Sequence, residues 1–410
     1  MTLRIFPVEK LLMYQTLKNR YFHLRDIYFT FEFHLQKRKR LCAVKKVSQR
    51  IVGKNRDQKS LNKIGFYIYS KNHLAHLEPI FRHLPKNHYE IVVSGSLPIP
   101  DYLCCKDYKV TTDLKILSAG KKFKTLVSLY MMAPPWALTV FSKGQDEQTV
   151  SKSFFRALAH ENLRMVYSLS ALPWNTSEVM AHYDSMFVYG NYEEQLYSKA
   201  FDNKISVFKV GYPKFDDYFN MPDRELSCKK LINPELKTIL WLPTKGPLSS
   251  VPKYWRAIAR LCKDYNVVLK PHPQEDYALL EDIEATGIIL VRDSDSASYY
   301  KIADFVFCDY GGSAFGALYT NTPFLFLSPD NPEQDTKNFC QESPEVGLRE
   351  DFTTIQEPVY EHIKELLSNN TLWELDAKKR KSKYKEFFEP NFGKAGEFAA
   401  MLLQNRLSQN

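Results

Sequence analysis

Residues 303–327, ADFVFCDYGGSAFGALYTNTPFLFL, contain the pattern that decides the fold. An apolar run ends at Asp309, a small-residue turn begins at Gly311, and a helical stretch leads to Pro323 and a second apolar run. Short runs rich in Val and Phe are typical of buried strands. The segment therefore predicts a strand–helix–strand unit in which the two strands are parallel.

The same alternation extends through the chain before this segment. Helical stretches separate several of the strand candidates, which favours parallel sheets covered by helices. The candidates are KIGFYIYS (63–70), YEIVVS (89–94), KTLVSLY (124–130), RMVYSLS (164–170), SMFVYGN (185–191), ISVFKVGYP (205–213), KTILWLPT (237–244), NVVLKPHP (266–273) and IILVRD (288–293).

A polar stretch near residues 220–227 interrupts the alternation and divides it into two halves. We expect an α/β protein with two Rossmann-like domains that face each other across a cleft. The predicted divisions are a basic, helical N-terminal segment (1–60), a first domain (61–225), a second domain (226–390) and a C-terminal helix (391–410) that crosses back to the first domain.

Composition limits the classes of function. The 410 residues are 44% apolar and 25% charged, which excludes a disordered or fibrous chain. Residues 1–60 hold 15 basic and 4 acidic side chains, so they account for more than the whole net charge of +9. The rest is nearly neutral and offers no basic groove for nucleic acid. Basic and aromatic residues interleave in the N-terminal segment, which fits an anionic membrane surface or a helical hairpin packed on the body.

Cysteine and apolar patterns favour a cytoplasmic protein. The seven cysteines form no CxxC spacing, so neither a zinc site nor a disulfide framework is indicated. The most apolar stretch, residues 125–141, is short and contains Pro134 and Pro135, so we expect no transmembrane helix. We therefore predict peripheral association with the cytoplasmic membrane through residues 1–60.

Three loops after strands of the second domain suit an anion. In residues 270–273, KPHP, prolines stiffen a loop from which a lysine neutralises charge and a histidine donates a hydrogen bond. The turn at residues 311–313 precedes a helix whose first N–H groups attract phosphate. Residues 244–246 add a third such loop, and together the loops predict a nucleotide mono- or diphosphate site. The candidates are Thr244, Lys245, Gly246, Lys270, His272, Gly311, Gly312 and Ser313.

These segments, in the order LPTK, VVLKPHP and CDYGGSAFGALYTNTPFLFLSP, with the tail FFEPNFGKAGEFAAMLL, resemble the CDP-glycerol glycerophosphotransferase family over roughly residues 180–400. The resemblance implies a GT-B enzyme of teichoic acid or capsule synthesis. Its first domain would bind a lipid-linked or polymer acceptor. Its second domain would bind a CDP-linked donor through His272, Asp309, Gly312 and Ser313. The expected reaction moves an alditol phosphate to a hydroxyl and releases CMP, without cofactor or metal.

One departure from that family concerns the catalytic base. The family's first domain carries a His-Gly pair after a strand, whereas the matching stretch here, residues 164–174, contains neither residue. His73 and His76 follow the first strand and share a helix face, so we predict that one of them accepts the proton of the acceptor hydroxyl. His272 would stabilise the departing nucleotide.

Other functions stay open at this point. An HP motif beside a serine-containing turn also resembles the CMP- or UDP-sugar glycosyltransferases that transfer sialic acid or Kdo. A UDP-sugar 2-epimerase shares the two-domain architecture. A non-catalytic anion-binding protein would explain the missing His-Gly pair, but it gives no reason for three phosphate-binding loops.

Overall fold

The computed structural model describes most of the chain outside the N-terminal segment. The described residues are 59–95, 99–104, 106–141, 145–170, 172–220, 232–272, 278–292, 296–335 and 339–408. The predicted basic segment, residues 1–60, thus lies outside the described residues except for its last two, which belong to a strand. The predicted boundary near residue 225 also lies outside them.

The first domain is built on a seven-stranded parallel sheet of order β3-β2-β1-β4-β5-β6-β7. Its strands are β1 (Lys59–Tyr67), β2 (Tyr89–Val93), β3 (Val110–Thr112), β4 (Lys121–Ser128), β5 (Ala159–Met165), β6 (Ser185–Val188) and β7 (Ser206–Lys209). Its helices are α1 (Lys71–Phe81), α2 (Asp101–Cys104), α3 (Asp113–Ser118), α4 (Pro135–Phe141), α5 (Glu147–Leu158), α6 (Leu172–Asn175), α7 (Asn191–Ala200) and α8 (Asp216–Asn220). Among its described residues, 3₁₀ helices cover Glu178–His182 and Pro213–Phe215.

The second domain contains a six-stranded parallel sheet of order β10-β9-β8-β11-β12-β13. Its strands are β8 (Thr238–Leu242), β9 (Asn266–Leu269), β10 (Ile289–Leu290), β11 (Phe305–Cys308), β12 (Phe324–Leu327) and β13 (Thr354–Ile355). The helices from here to the end are α9 (Val251–Leu261), α10 (Ala278–Glu284), α11 (Ser313–Thr320), α12 (Pro344–Asp351), α13 (Tyr360–Ser368), α14 (Asn370–Phe387) and α15 (Ala395–Ser408). In the described part of this domain, 3₁₀ helices cover Gly246–Leu248, Ser298–Ile302 and Pro332–Gln334.

Burial explains why the strands are apolar on both faces. Every residue of β8, β11 and β12 is buried, since helices cover both faces of a parallel sheet. Helix α9 is amphipathic, since Val251, Tyr254, Ile258 and Leu261 are buried at helical spacing. The predicted α/β fold with two Rossmann-like domains is confirmed.

The last helix, α15, packs against α1 of the first domain. Asp216 accepts hydrogen bonds from the backbone N–H groups of Ala395 (3.1 Å) and Gly396 (2.7 Å), which anchors the beginning of α15. Near its end, the Arg406 Nε lies 3.1 Å from a carboxylate oxygen of Glu161 on β5. The chain therefore returns to the first domain after completing the second.

The carboxyl ends of the two sheets face one cleft, because residues that follow strands of both sheets line it. Within the described part of the chain, no helix combines the length and the apolar character needed to cross a membrane.

Candidate active site

The cleft between the domains holds a cavity of about 660 Å³. Both walls contribute residues that the sequence singled out. Those that line it are His73, His76, Thr244, Lys245, Lys270, His272, Gly311, Gly312 and Ser313. Two predicted site residues, Asp309 and Gly246, are not among its lining residues.

Asp309 lies behind the second-domain wall. It follows β11 and is completely buried, and its carboxylate accepts hydrogen bonds from the N–H groups of Thr244 (2.8 Å) and Ser250 (2.7 Å). Burial raises the pKa of Asp309 to about 7, although the hydrogen bonds from these two N–H groups lower it. Asp309 therefore positions the loop after β8. Gly246 opens the 3₁₀ helix of that loop with φ +59°.

The turn before α11 exposes backbone to the cleft. Gly311 has φ +99°, in the region that favours glycine, and Gly312 occupies the N-cap position without a side-chain capping bond. The Tyr300 hydroxyl donates a 2.7 Å hydrogen bond to the carbonyl of Ser313, which fixes the first turn. The first N–H groups of α11 thus lie at the cleft in a geometry that suits an anion.

The loop after β9 places a cation and an imidazole beside that turn. The Lys270 N–H donates to the Trp241 carbonyl at 2.9 Å, so the sheet ladder continues into the loop. The Lys270 Nζ lies 5.7 Å from the ring centroid of Tyr299. Burial, with a smaller effect of Lys245, lowers the pKa of His272 to about 4. At neutral pH His272 is therefore a neutral imidazole with one donor and one acceptor.

The first-domain wall presents two buried imidazoles from α1. His76 packs against Tyr167, with ring centroids 4.7 Å apart, and His73 lies 5.6 Å from the ring of Tyr130. The Nδ1 atoms of both histidines are buried without a hydrogen-bond partner within the protein. Burial lowers the pKa of His73 to about 4 and that of His76 well below 6.5, so both are neutral proton acceptors at pH 7.

Several lining residues were not predicted from the sequence. Tyr130, Tyr167 and Ser168 follow β4 and β5, and Lys214 follows β7. Their position after strands of a parallel sheet is the feature that could have identified them. Ser168 lies in the loop after β5, and its Oγ would lie 3.1 Å from a Cβ added to Gly312 of the opposite wall.

A further group lies beyond the phosphate-binding turn. The Arg349 guanidinium lies 4.4 Å from the ring centroid of Tyr310 and donates a 3.3 Å hydrogen bond to the Asp309 carbonyl. Glu345, one turn earlier on α12, is buried and lines the cleft. No local sequence motif marks these residues, because they lie on α12, which is separated from β12 by a long connection.

The arrangement separates two kinds of chemistry. The second-domain wall offers two lysines, a neutral imidazole and backbone N–H groups to a polyanion. The first-domain wall offers neutral imidazoles and hydroxyl groups, which can orient an alcohol and accept its proton. Among the described residues, no group of three or more His, Cys, Asp or Glu side chains is arranged to hold a metal ion.

Comparison with known proteins identifies this architecture. Residues 157–398 match the family described as CDP-glycerol:poly(glycerophosphate) glycerophosphotransferase. No curated protein sequence matches the chain at a significant level. Among solved structures, a variant of the wall teichoic acid polymerase TagF soaked with CDPG has a TM-score of 0.64 at 15% identity, over 92% of this chain and 98% of that one.

Two further solved structures share the architecture. HepE of Anabaena, in complex with UDP and glucose, has a TM-score of 0.51 at 9% identity, over 85% of this chain and 100% of that one. A Listeria monocytogenes protein described as a UDP-N-acetylglucosamine 2-epimerase has a TM-score of 0.52 at 13% identity, over 85% and 97%. Identities this low support the two-domain GT-B fold alone.

Proposed function

This chain belongs to the CDP-glycerol:poly(glycerophosphate) glycerophosphotransferase family, and we propose that it transfers glycerol phosphate from CDP-glycerol to a hydroxyl of an acceptor polymer. The observation that carries the proposal is a single cleft in which three anion-binding loops face a wall of neutral imidazoles and hydroxyls. A diphosphate donor fits the second-domain wall with its anion-binding loops, and a polyol acceptor fits the first-domain wall with its imidazoles and hydroxyls.

The proposed step is a displacement at the phosphorus that carries the glycerol. The acceptor oxygen attacks, a new P–O bond forms, and the bond to the bridging oxygen of CMP breaks, so its electron pair leaves with CMP. Lys245, Lys270, His272 and the N–H groups at the beginning of α11 stabilise the departing CMP.

The proton of the attacking hydroxyl goes to His76, or to His73. His76 is only 3% exposed, its Nδ1 has no protein partner, and it is neutral at pH 7. These properties suit an acceptor of a proton that is released in a water-poor site. This assignment replaces the missing His-Gly pair, expected after β5, by an imidazole from the helix after β1, two strands away in the same sheet.

Binding measurements on His272→Ala test the nucleotide site. We expect CDP-glycerol and CDP to raise the melting temperature of the wild type more than UDP or UMP, and the effect to be lost in the variant. His362→Ala is the matched control, since His362 is an exposed residue of α13 in the same domain. Turnover of CDP-glycerol to CMP then separates this function from a CMP-sugar transferase.

Each other outcome points to a different function. Uridine-selective stabilisation would favour a UDP-sugar transferase or epimerase. No stabilisation by any nucleotide would favour an anion-binding protein without transferase activity and would refute the proposal.

We also propose that the basic segment, residues 1–60, docks on the anionic cytoplasmic membrane surface, where a lipid-linked acceptor is available. Its charge and its interleaved aromatic residues support this. Deleting residues 1–58 leaves β1 intact and should move the protein from the membrane pellet to the supernatant. An unchanged pellet fraction would contradict the docking.

A further inference from the structure

The charges of the cleft are divided unevenly between its walls. The second-domain wall carries Lys245 and Lys270 together with two carboxylates, Asp335 and Glu345. Among the described residues that line the first-domain wall, Lys214 is the only one with a full charge at neutral pH. The remaining lining residues of that wall are aromatic, hydroxyl, amide, imidazole or apolar.

Lys214 is held at the cleft by a segment that both domains fix. It is the central residue of the 3₁₀ helix Pro213–Phe215. On one side, the Tyr212 ring stacks on Tyr189 of the first domain, with centroids 4.1 Å apart. On the other side, the Phe215 ring lies 5.5 Å from Tyr300 of the second domain. The backbone that presents the lysine is therefore preorganised.

The position of Lys214 relates it to the acceptor side of the site. Lys214 and His76 line the same wall of the cavity, and the His76 ring centroid lies 6.5 Å from that of Tyr212, two residues before Lys214. The charge of Lys214 also contributes to the low pKa of His76. The donor diphosphate already has the lysines and N–H groups of the second wall. A fixed cation beside the proton acceptor then suits a second anion, one that belongs to the molecule being extended.

We infer that Lys214 binds a phosphodiester of the acceptor. This rests on the proposed function and adds to it a selectivity for acceptors whose reactive hydroxyl lies next to a phosphate. A polymer of glycerol phosphate presents such a phosphodiester at every unit, whereas a neutral polyol presents none. The contact is a charge-assisted hydrogen bond, the stronger class in proteins.

Lys214→Met tests the inference, because methionine keeps the length of the side chain and removes its charge. With a synthetic glycerol phosphate trimer as acceptor, kcat/KM should fall about 10-fold to 100-fold, as expected for loss of one hydrogen bond to a charged group. With uncharged triglycerol as acceptor, kcat/KM should stay within about twofold, since that acceptor has no phosphate to lose. The Kd for CDP-glycerol should not change, and Lys214→Arg should recover most of the activity with the trimer.

The control is Lys199→Met, since Lys199 is an exposed residue of α7 in the same domain. This substitution should leave kcat/KM unchanged with both acceptors. Equal losses with the trimer and with triglycerol, or a weaker Kd for CDP-glycerol, would overturn the inference and assign Lys214 to the donor or to domain closure. A wild type that does not turn over CDP-glycerol refutes the proposed function instead. In that case, calorimetry measures the affinity of the trimer for the wild type and for Lys214→Met. Equal affinities would overturn the inference that Lys214 binds the acceptor.

Discussion

Asp309, the buried carboxyl that holds the loop after β8, should make the stability of the protein depend on pH. Burial raises its pKa from 3.8 to about 7 in the folded state. In the unfolded chain the carboxyl is solvated and returns to the ordinary value. Between these two values the folded state binds a proton that the unfolded state has released, so the free energy of unfolding falls as the pH rises.

The magnitude follows from the two pKa values. At 1.36 kcal/mol per pH unit, a rise from 3.8 to about 7 corresponds to about 4 kcal/mol. Asp309→Asn has the shape of the neutral acid and does not titrate. The free energy of unfolding of the wild type, minus that of Asp309→Asn, should therefore decrease by up to about 4 kcal/mol between pH 4 and pH 8.

Urea denaturation at several pH values measures this difference, with tryptophan fluorescence as the probe. Trp241 suits the purpose, because it is buried in β8 and its indole N–H donates a 3.1 Å hydrogen bond to the Ser250 hydroxyl beside the loop. Subtracting the variant's values removes the titration of all other groups, as long as they do not contact Asp309.

The matched control lies at the other end of the same strand. Asp304 precedes β11, is exposed, and accepts a 2.8 Å hydrogen bond from the Thr238 N–H. Asp304→Asn, which makes the same chemical change at an exposed position, is measured over the same pH range. For Asp309→Asn, a constant difference, or one that grows with pH, would refute the reasoning. It would mean that the two backbone donors outweigh burial and keep the carboxylate ionised.

Two further predictions concern α15 and the proposed catalytic imidazole, His76. Gly396→Ala should destabilise the protein by about 1–3 kcal/mol in urea denaturation, because the added Cβ would overlap the Pro79 carbonyl oxygen. Gly347→Ala, within α12 and open to solvent, should instead stabilise the protein by about 0.5–1 kcal/mol. Equal effects of the two substitutions would contradict the close packing of Gly396 against Pro79. For catalysis, the acidic limb of kcat/KM should have its midpoint below pH 6.5 and should disappear in His76→Gln, since burial lowers the pKa of His76. A midpoint at or above 6.5 would exclude this histidine as the base.

The sequence predicted most of the sheet structure, because the central strands are continuous apolar runs. Residues 237–244 and 303–310, for example, contain β8 and β11. The edge strands β3 and β13 were not predicted, since runs of three and two residues are too short for a periodicity to appear.

The candidate site was predictable where a motif follows a strand. Residues 244–246, 270–272 and 311–313 belong to three loops of one domain, and the rule that ligands bind at carboxyl ends of parallel strands brings such loops together. The same rule applies to Tyr130 and Lys214, but polar residues after strands are too common to be chosen without the structure. The role of Asp309 depends on two backbone N–H groups distant in sequence, which no local pattern reveals.

The return of α15 to the first domain has a consequence for the order of synthesis. Residues Ala399, Ala400, Leu403 and Leu407 of this helix belong to the same apolar core as Leu77 and Ile80 of α1. A ribosome makes all seven strands of the first domain before any strand of the second, yet it makes the helix that covers α1 only after every strand of the second domain. The domain that is made first is thus completed only after the second, and a nascent chain exposes this face until α15 has emerged.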